Sequence, residues 1–254
     1  MNLTRVYAIF IRQFYLLRDN PTRLFQMLVW GTVDIILWGF TSRYLTSIAP
    51  GFKFALVFLG AVLIWDFLSR IMQGITMSFM EDTWTRNLLN IFASPISISE
   101  YMSGLIATSI LKSVASFGVL LLVASAAFGF SAFSYGFSIL AFLLILFLSG
   151  IALGILGTSI MLRWGPIAEW FIWPIPALMS PFVGVLYPAS TLPHWMQQVG
   201  QFLPPSYVFD GLRSIVAGGE FHLGSFAIGI ALAIFYIFIA YLIFLRVYRR
   251  AVRT

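Results

Sequence analysis

The sequence predicts an all-α integral membrane protein forming one domain over residues 1–254, and three observations carry that prediction. The chain is 60% hydrophobic and only 9% charged, whereas soluble domains carry about 25% charged residues. Apolar runs of spanning length, about 20 residues each, recur six times. Basic residues gather beside those runs, so the net charge of +6 reflects Lys and Arg on cytoplasmic loops rather than affinity for nucleic acid. The absence of Cys removes disulfides, thiolate metal sites and cysteine nucleophiles.

Residues 1–20 read as an amphipathic interface helix lying on the membrane. Leu3, Val6, Tyr7, Phe10, Phe14 and Leu17 follow helical spacing, with Arg5 and Arg12 on another face. Arg5, Arg12 and Arg18 interrupt the first apolar stretch, which argues against a cleavable signal peptide. The helix serves as a topology anchor, as a grip for a cytoplasmic partner, or as both.

The six transmembrane helices fall at 24–41, 54–79, 102–130, 137–162, 167–187 and 223–245. An even number returns both termini to one side. The terminal and even-numbered loops hold Arg5, Arg12, Arg18, Arg23, Arg86, Arg163, Arg246, Arg249, Arg250 and Arg253, against Arg43, Lys53 and Arg213 in the others. Both termini are therefore expected in the cytoplasm.

Between the second and third spans, residues 81–94 read as a cytoplasmic amphipathic helix. Glu81 and Asp82 suit a helix N-terminus, Trp84, Leu88, Ile91 and Phe92 fall on one face, and Ser94-Pro95 stops the helix. Ser97-Ile98-Ser99-Glu100 matches a capping box that restarts it. The apolar face packs either on the protein's own membrane ends or on a docking partner. Residues 193–216 hold two apolar helices of half spanning length. Pro193 starts the first, Pro204-Pro205 breaks the chain, and Ser206 caps the second through Tyr207, Asp210 and Arg213. An outer-leaflet re-entrant helical hairpin fits this pattern; a lid on the outer surface is the alternative.

The chain lacks the usual chemistry of an enzyme. Lys53 and Lys112 follow Phe52 and Leu111, so neither ends a glycine-rich phosphate loop, and no G-x-S-x-G elbow occurs. His194 and His222 have no partner at metal-ligand spacing. The intramembrane polar residues Asp34, Asp66, Arg70, Lys112 and Glu169 do need explaining. Each charge costs roughly 2.5–3.5 kcal/mol at a helix centre on insertion scales. Asp66 and Arg70 are spaced to pair on one helix. Otherwise these groups line a substrate cavity or relay protons.

In order, these features resemble the ABC-2-type exporter permeases. The resemblance covers nearly the whole chain and is most specific in Asn87-Leu88-Leu89-Asn90-Ile91-Phe92-Ala93-Ser94-Pro95-Ile96-Ser97, running on through Glu100-Tyr101-Met102-Ser103-Gly104. Leu203-Pro204-Pro205-Ser206-Tyr207-Val208-Phe209-Asp210-Gly211-Leu212-Arg213 carries the rest. The resemblance implies the transmembrane half of an ATP-driven exporter in the cell (inner) membrane, dimerising with a second copy or a sister permease. ABC ATPase subunits beneath it would hold ATP and Mg, with no cofactor in this chain. Residues 81–94 would be the coupling helix, docking through Glu81, Asp82, Trp84, Arg86, Leu88, Ile91, Phe92 and Pro95, and flanked by the interface helix with Arg5, Arg12 and Phe14. The hairpin, with Pro193, Pro204, Pro205, Tyr207, Asp210 and Arg213, would shape the outer gate.

The expected substrate is hydrophobic or amphiphilic: a drug, lipid, glycolipid or polysaccharide. Trp30, Trp38, Trp65, Trp164, Trp170 and Trp173 either stack on sugar rings or form an interfacial belt. Two competing functions differ in class. An ion-coupled secondary transporter would use Asp34 or Asp66, and a membrane-embedded lipid enzyme would need converging acids or histidines, which the sequence does not offer.

Overall fold

The computed structural model describes residues 1–48 and 54–251. Lys53 and Arg253, used in the charge tally, lie outside the described residues, as do the side chains of Arg23 and Phe92. Among the described residues the chain is helical without strands: α1 (Leu3–Arg18), α2 (Pro21–Ile48), α3 (Phe54–Trp84), α4 (Leu88–Ala93), α5 (Ile98–Phe128), α6 (Ser138–Trp164), α7 (Glu169–Ile172), α8 (Ile175–Val183), α9 (His194–Gln201), α10 (Pro204–Val216) and α11 (Leu223–Ala251).

Four stretches of described residues are long and apolar enough to cross a membrane: Val57–Trp84, Ile98–Phe128, Ser138–Ile172 and Leu223–Ala251. Helix α2, 28 residues long, has the length but carries more polar residues. The fifth expected span is no single helix. A 3-10 turn at Gly165–Ala168, the four residues of α7 and the nine of α8 follow one another with breaks. Pro166, Pro174, Pro176 and Pro181 remove backbone donors along this stretch, so a continuous ladder cannot form.

Helices α3 and α6 are central: α3 packs on α2, α5 and α6, while α6 also carries α11 and α10. Lipid is no better as a partner than Leu, so close backbone approach drives this packing. Gly150, Gly154 and Gly157 allow it on α6. A Cβ on Gly154 would lie 2.8 Å from Ile75 Cδ1, and one on Gly150 2.8 Å from Ile71 Cβ. Outward faces of α2 and α11 expose Val33, Leu37, Phe40, Ile234, Phe235 and Phe238, as suits a lipid-facing surface.

The expected interface helix is α1, capped by Asn2, whose side-chain oxygen accepts the Thr4 N–H at 3.0 Å. Its buried side is Ile9 and Gln13, and it packs on α5. Much of the apolar stripe read from the sequence points away from the bundle, with Leu3, Tyr7 and Phe14 exposed.

The 81–94 helix is corrected. Glu81 and Asp82 belong to the last turn of α3 and open no new helix. The chain turns through Arg86, at φ 54°, before the six residues of α4. That left-handed residue resets the helical phase, so Trp84 and Ile91 do not share a face. Trp84 is 46% exposed, Ile91 is buried, and Leu88 packs against the core. The capping box is present in full. The Ser97 hydroxyl accepts the Glu100 N–H, and Glu100 Oε2 accepts the Ser97 N–H at 2.9 Å.

In the hairpin, α9 and α10 occupy 194–216 with a break at Phe202 and Leu203. Pro204 and Pro205 start α10 rather than only interrupting the chain, because proline suits the first helical positions. Ser206 therefore lies inside the helix, and its buried hydroxyl has no hydrogen-bond partner.

Candidate functional site

A groove of about 680 Å³ opens on the side of the bundle where α2, α3, α5 and α8 meet. Its floor is one face of α3, running from Val62 through Asp66, the adjacent Ser69 and Arg70, Gln73 and Met77 to Glu81 at helical spacing. At about 1.5 Å per residue this face is roughly 28 Å tall, close to the roughly 30 Å hydrocarbon layer. Leu17 closes one end of the lining and Leu186 and Tyr187 the other. Helix α2 contributes Trp30, Asp34 and Trp38, and α5 contributes Lys112 and Ser113. The Ser113 hydroxyl is buried without a hydrogen-bond partner.

The intramembrane polar residues thus converge on one wall. Arg70 Nε donates to Asp66 Oδ2 on the same helix, the pairing the spacing predicted. Arg70 also reaches toward α2. Its Nη2 lies 2.5 Å from where a Gly31 Cβ would stand, so glycine at 31 gives the guanidinium room. Asp34 stands exposed on the groove wall within the electrostatic reach of Arg70. Glu169 is the exception: it lies outside the lining and accepts a hydrogen bond from Trp173 Nε1 at 3.2 Å, which orients an indole that does line it.

The tryptophans divide. Trp30, Trp38, Trp65 and Trp173 line the groove, while Trp164 and Trp170, 58% and 82% exposed, do not. Trp38 stacks on Phe58, centroids 5.7 Å apart, and Trp65 contacts Phe209 of α10.

At one end of the bundle the residues expected to couple to a partner also divide. Glu81 lines the groove, while its neighbour Asp82 points into the bundle, with only 2% of its side chain exposed. Asp82 accepts hydrogen bonds from both terminal nitrogens of Arg12, one at 2.9 Å, from Tyr101 Oη at 2.7 Å and from Asn87 Nδ2 at 3.3 Å. The hydrogen bond to Asp82 raises the Arg12 guanidinium above its ordinary value, with burial acting against it. Arg5 lies 3.6 Å from Glu100, which also accepts the Asn2 N–H at 2.6 Å. Next to Arg12, the buried Gln13 amide has no hydrogen-bond partner. Trp84, Arg86 and Pro95 are exposed at this end.

At the other end, Arg213 Nη1 donates to the Gly184 carbonyl at 2.6 Å and Nη2 to Asp210 at 2.8 Å. This ties the hairpin to the end of α8. Tyr207 Oη donates to the Gln201 carbonyl at 2.9 Å, fastening α10 to α9. Pro204 and Pro205 are buried and Pro193 is exposed. Sequence reasoning did not single out Gln73 or Ser113, neither of which carries a local signal, nor the reach of Arg12 and Tyr101 to Asp82.

Together these features define a multi-pass, helical membrane protein with a groove along one side of its bundle. The ABC-2 family transporter pattern matches residues 32–242, more than four-fifths of the chain, and the chain belongs to that family. It is the membrane permease of an ABC transporter. A comparison with curated proteins gives no match.

Proposed function

We propose that this permease works in an ATP-driven exporter and that the α2–α3–α5–α8 groove is its half of the translocation path. The observation that carries the reading is the α3 face, a groove lining of membrane height whose polar residues, from Asp66 to Glu81, run along roughly 22 Å of it in an otherwise apolar bundle. In this reading ATP and Mg bind separate ABC ATPase subunits, and a second copy or a sister permease covers the groove. The chain crosses the cell (inner) membrane six times, with α2 as the first span and the kinked α7–α8 segment as the fifth. Both termini are cytoplasmic, consistent with the distribution of Arg and Lys. The exposed residues Trp84 and Arg86 meet the ATPase, and α9–α10 shape the outer gate. The substrate is hydrophobic or amphiphilic: the groove pairs four indoles with acids, bases and hydroxyls, which suits a drug, lipid, glycolipid or polysaccharide.

Asp34 favours a second reading, an ion-coupled carrier, because it places an exposed carboxylate on the groove wall. One experiment separates the two. The chain is co-expressed with the ABC ATPase subunits of its source organism and purified by a tag on the chain. The exporter reading predicts that the ATPase co-purifies and that Trp84→Ala lowers its recovery several-fold. An untouched wild-type chain that retains no ATPase would sink the exporter reading and leave Asp34 as the group to neutralise.

A further inference from the structure

Resting on the exporter reading, we infer that Asp82, held by Arg12 and Tyr101, is the positioning joint through which α1 and the α3–α4 turn move the groove wall. Three parts of the fold meet at this one carboxylate: α1 through Arg12, α5 through Tyr101 and the turn through Asn87. Asp82 lies beside Glu81, which lines the groove, at the end of the same 31-residue helix that carries Arg70 and Gln73. A force on α1 therefore reaches α3 through a charged, bidentate contact, while the groove sits on the neighbouring face of that rod. Two turns earlier on α1, Arg5 approaches Glu100, so α1 is fixed at two points and moves with the starts and ends of its neighbours rather than sliding over them.

A buried ion pair is weak evidence of stabilisation, because desolvation offsets much of its attraction. Anchoring α1 by apolar contacts alone would serve stability as well. What the ion pair adds is directional, geometrically fixed attachment of a surface helix to the helix that forms the path. Spatial continuity alone does not establish coupling, so the test reads coupling directly.

The chain contains no Cys, so Gln73→Cys supplies a single reporter thiol in the groove. The permease–ATPase complex is placed in lipid nanodiscs, and the rate of labelling by a water-soluble maleimide is measured with and without Mg and a non-hydrolysable ATP analogue. The joint predicts a several-fold nucleotide-dependent change in the Gln73→Cys background. Arg12→Gln abolishes that change and Tyr101→Phe at least halves it, while both variants still co-purify with the ATPase. The exchanged pair Arg12→Asp/Asp82→Arg recovers part of it. If Arg12→Gln does not assemble, Tyr101→Phe decides, since it removes one hydroxyl and keeps the ring. Variants that assemble and respond like the background overturn the joint. A background complex that binds no ATPase, or shows no nucleotide response, overturns the exporter reading instead, and the inference falls with it.

Discussion

Asp66 and Asp82 lie on the same helix and are satisfied in different ways, with different consequences for substitution. Asp66 pairs with Arg70 one turn along α3, and both side chains are largely buried, at 18% and 10% exposure. Breaking such a pair by removing one partner is strongly destabilising, although Asp34 remains within electrostatic reach of Arg70. Asp66→Asn should therefore destabilise the protein by about 3 kcal/mol, the lower end of the range for a broken buried pair, read as a lower thermal unfolding midpoint of the detergent-purified chain. Asp66→Leu/Arg70→Met removes both charges and should recover most of that loss. A double variant no more stable than Asp66→Asn would show that the groove wall needs the charges themselves. The Asp66–Arg70 pair was legible in the sequence because its partners are four residues apart. Arg12 and Asp82 are separated by most of α2 and α3, and no local pattern announces their contact.

At the scale of elements, the glycines of α6 set how closely it meets α3. Gly154 has Ile75 against its Cβ position, while Gly118 on α5 has nothing within 4 Å. Gly154→Leu should force the two helices apart and cost about 1–3 kcal/mol, the usual range for overpacking. Gly118→Ala should be neutral or slightly stabilising, because alanine is the better helix former. Unfolding midpoints of the two variants check the contrast, and equal effects would contradict the packing described here. The extent of α1, the Ser97–Glu100 capping box and the two helices of the hairpin were all readable, since each depends on a few neighbouring residues. The ending of α3 was not. Glu81 and Asp82 have the composition of a helix start, and only the left-handed backbone at Arg86 shows that they end one. The fifth span was misread as a single helix although its prolines were visible, because apolar length outweighed them. The groove itself was invisible: its residues come from five helices, and the sequence singled out Asp34, Asp66, Arg70, Lys112 and the tryptophans Trp30, Trp38, Trp65 and Trp173 without placing them together.

For the whole molecule, the family pattern and the bundle agree on a membrane permease, and the groove is the route proposed for its substrate. The polar stripe and the buried stripe of α3 are two faces of one rod. Gln73 and Met77 look into the groove, while Ile71 and Ile75 pack against α6. The most direct measurement is a cysteine scan of α3 in the intact complex in native membranes, from position 62 to position 81, with a charged, membrane-impermeant thiol reagent. A translocation path predicts reaction at 66, 69, 70, 73 and 77 and protection at 64, 68, 71, 72 and 75, a helical period running through the depth of the membrane. Uniform protection between 66 and 77 would mean that the groove is filled by lipid or protein, and the claim that it carries substrate would fail.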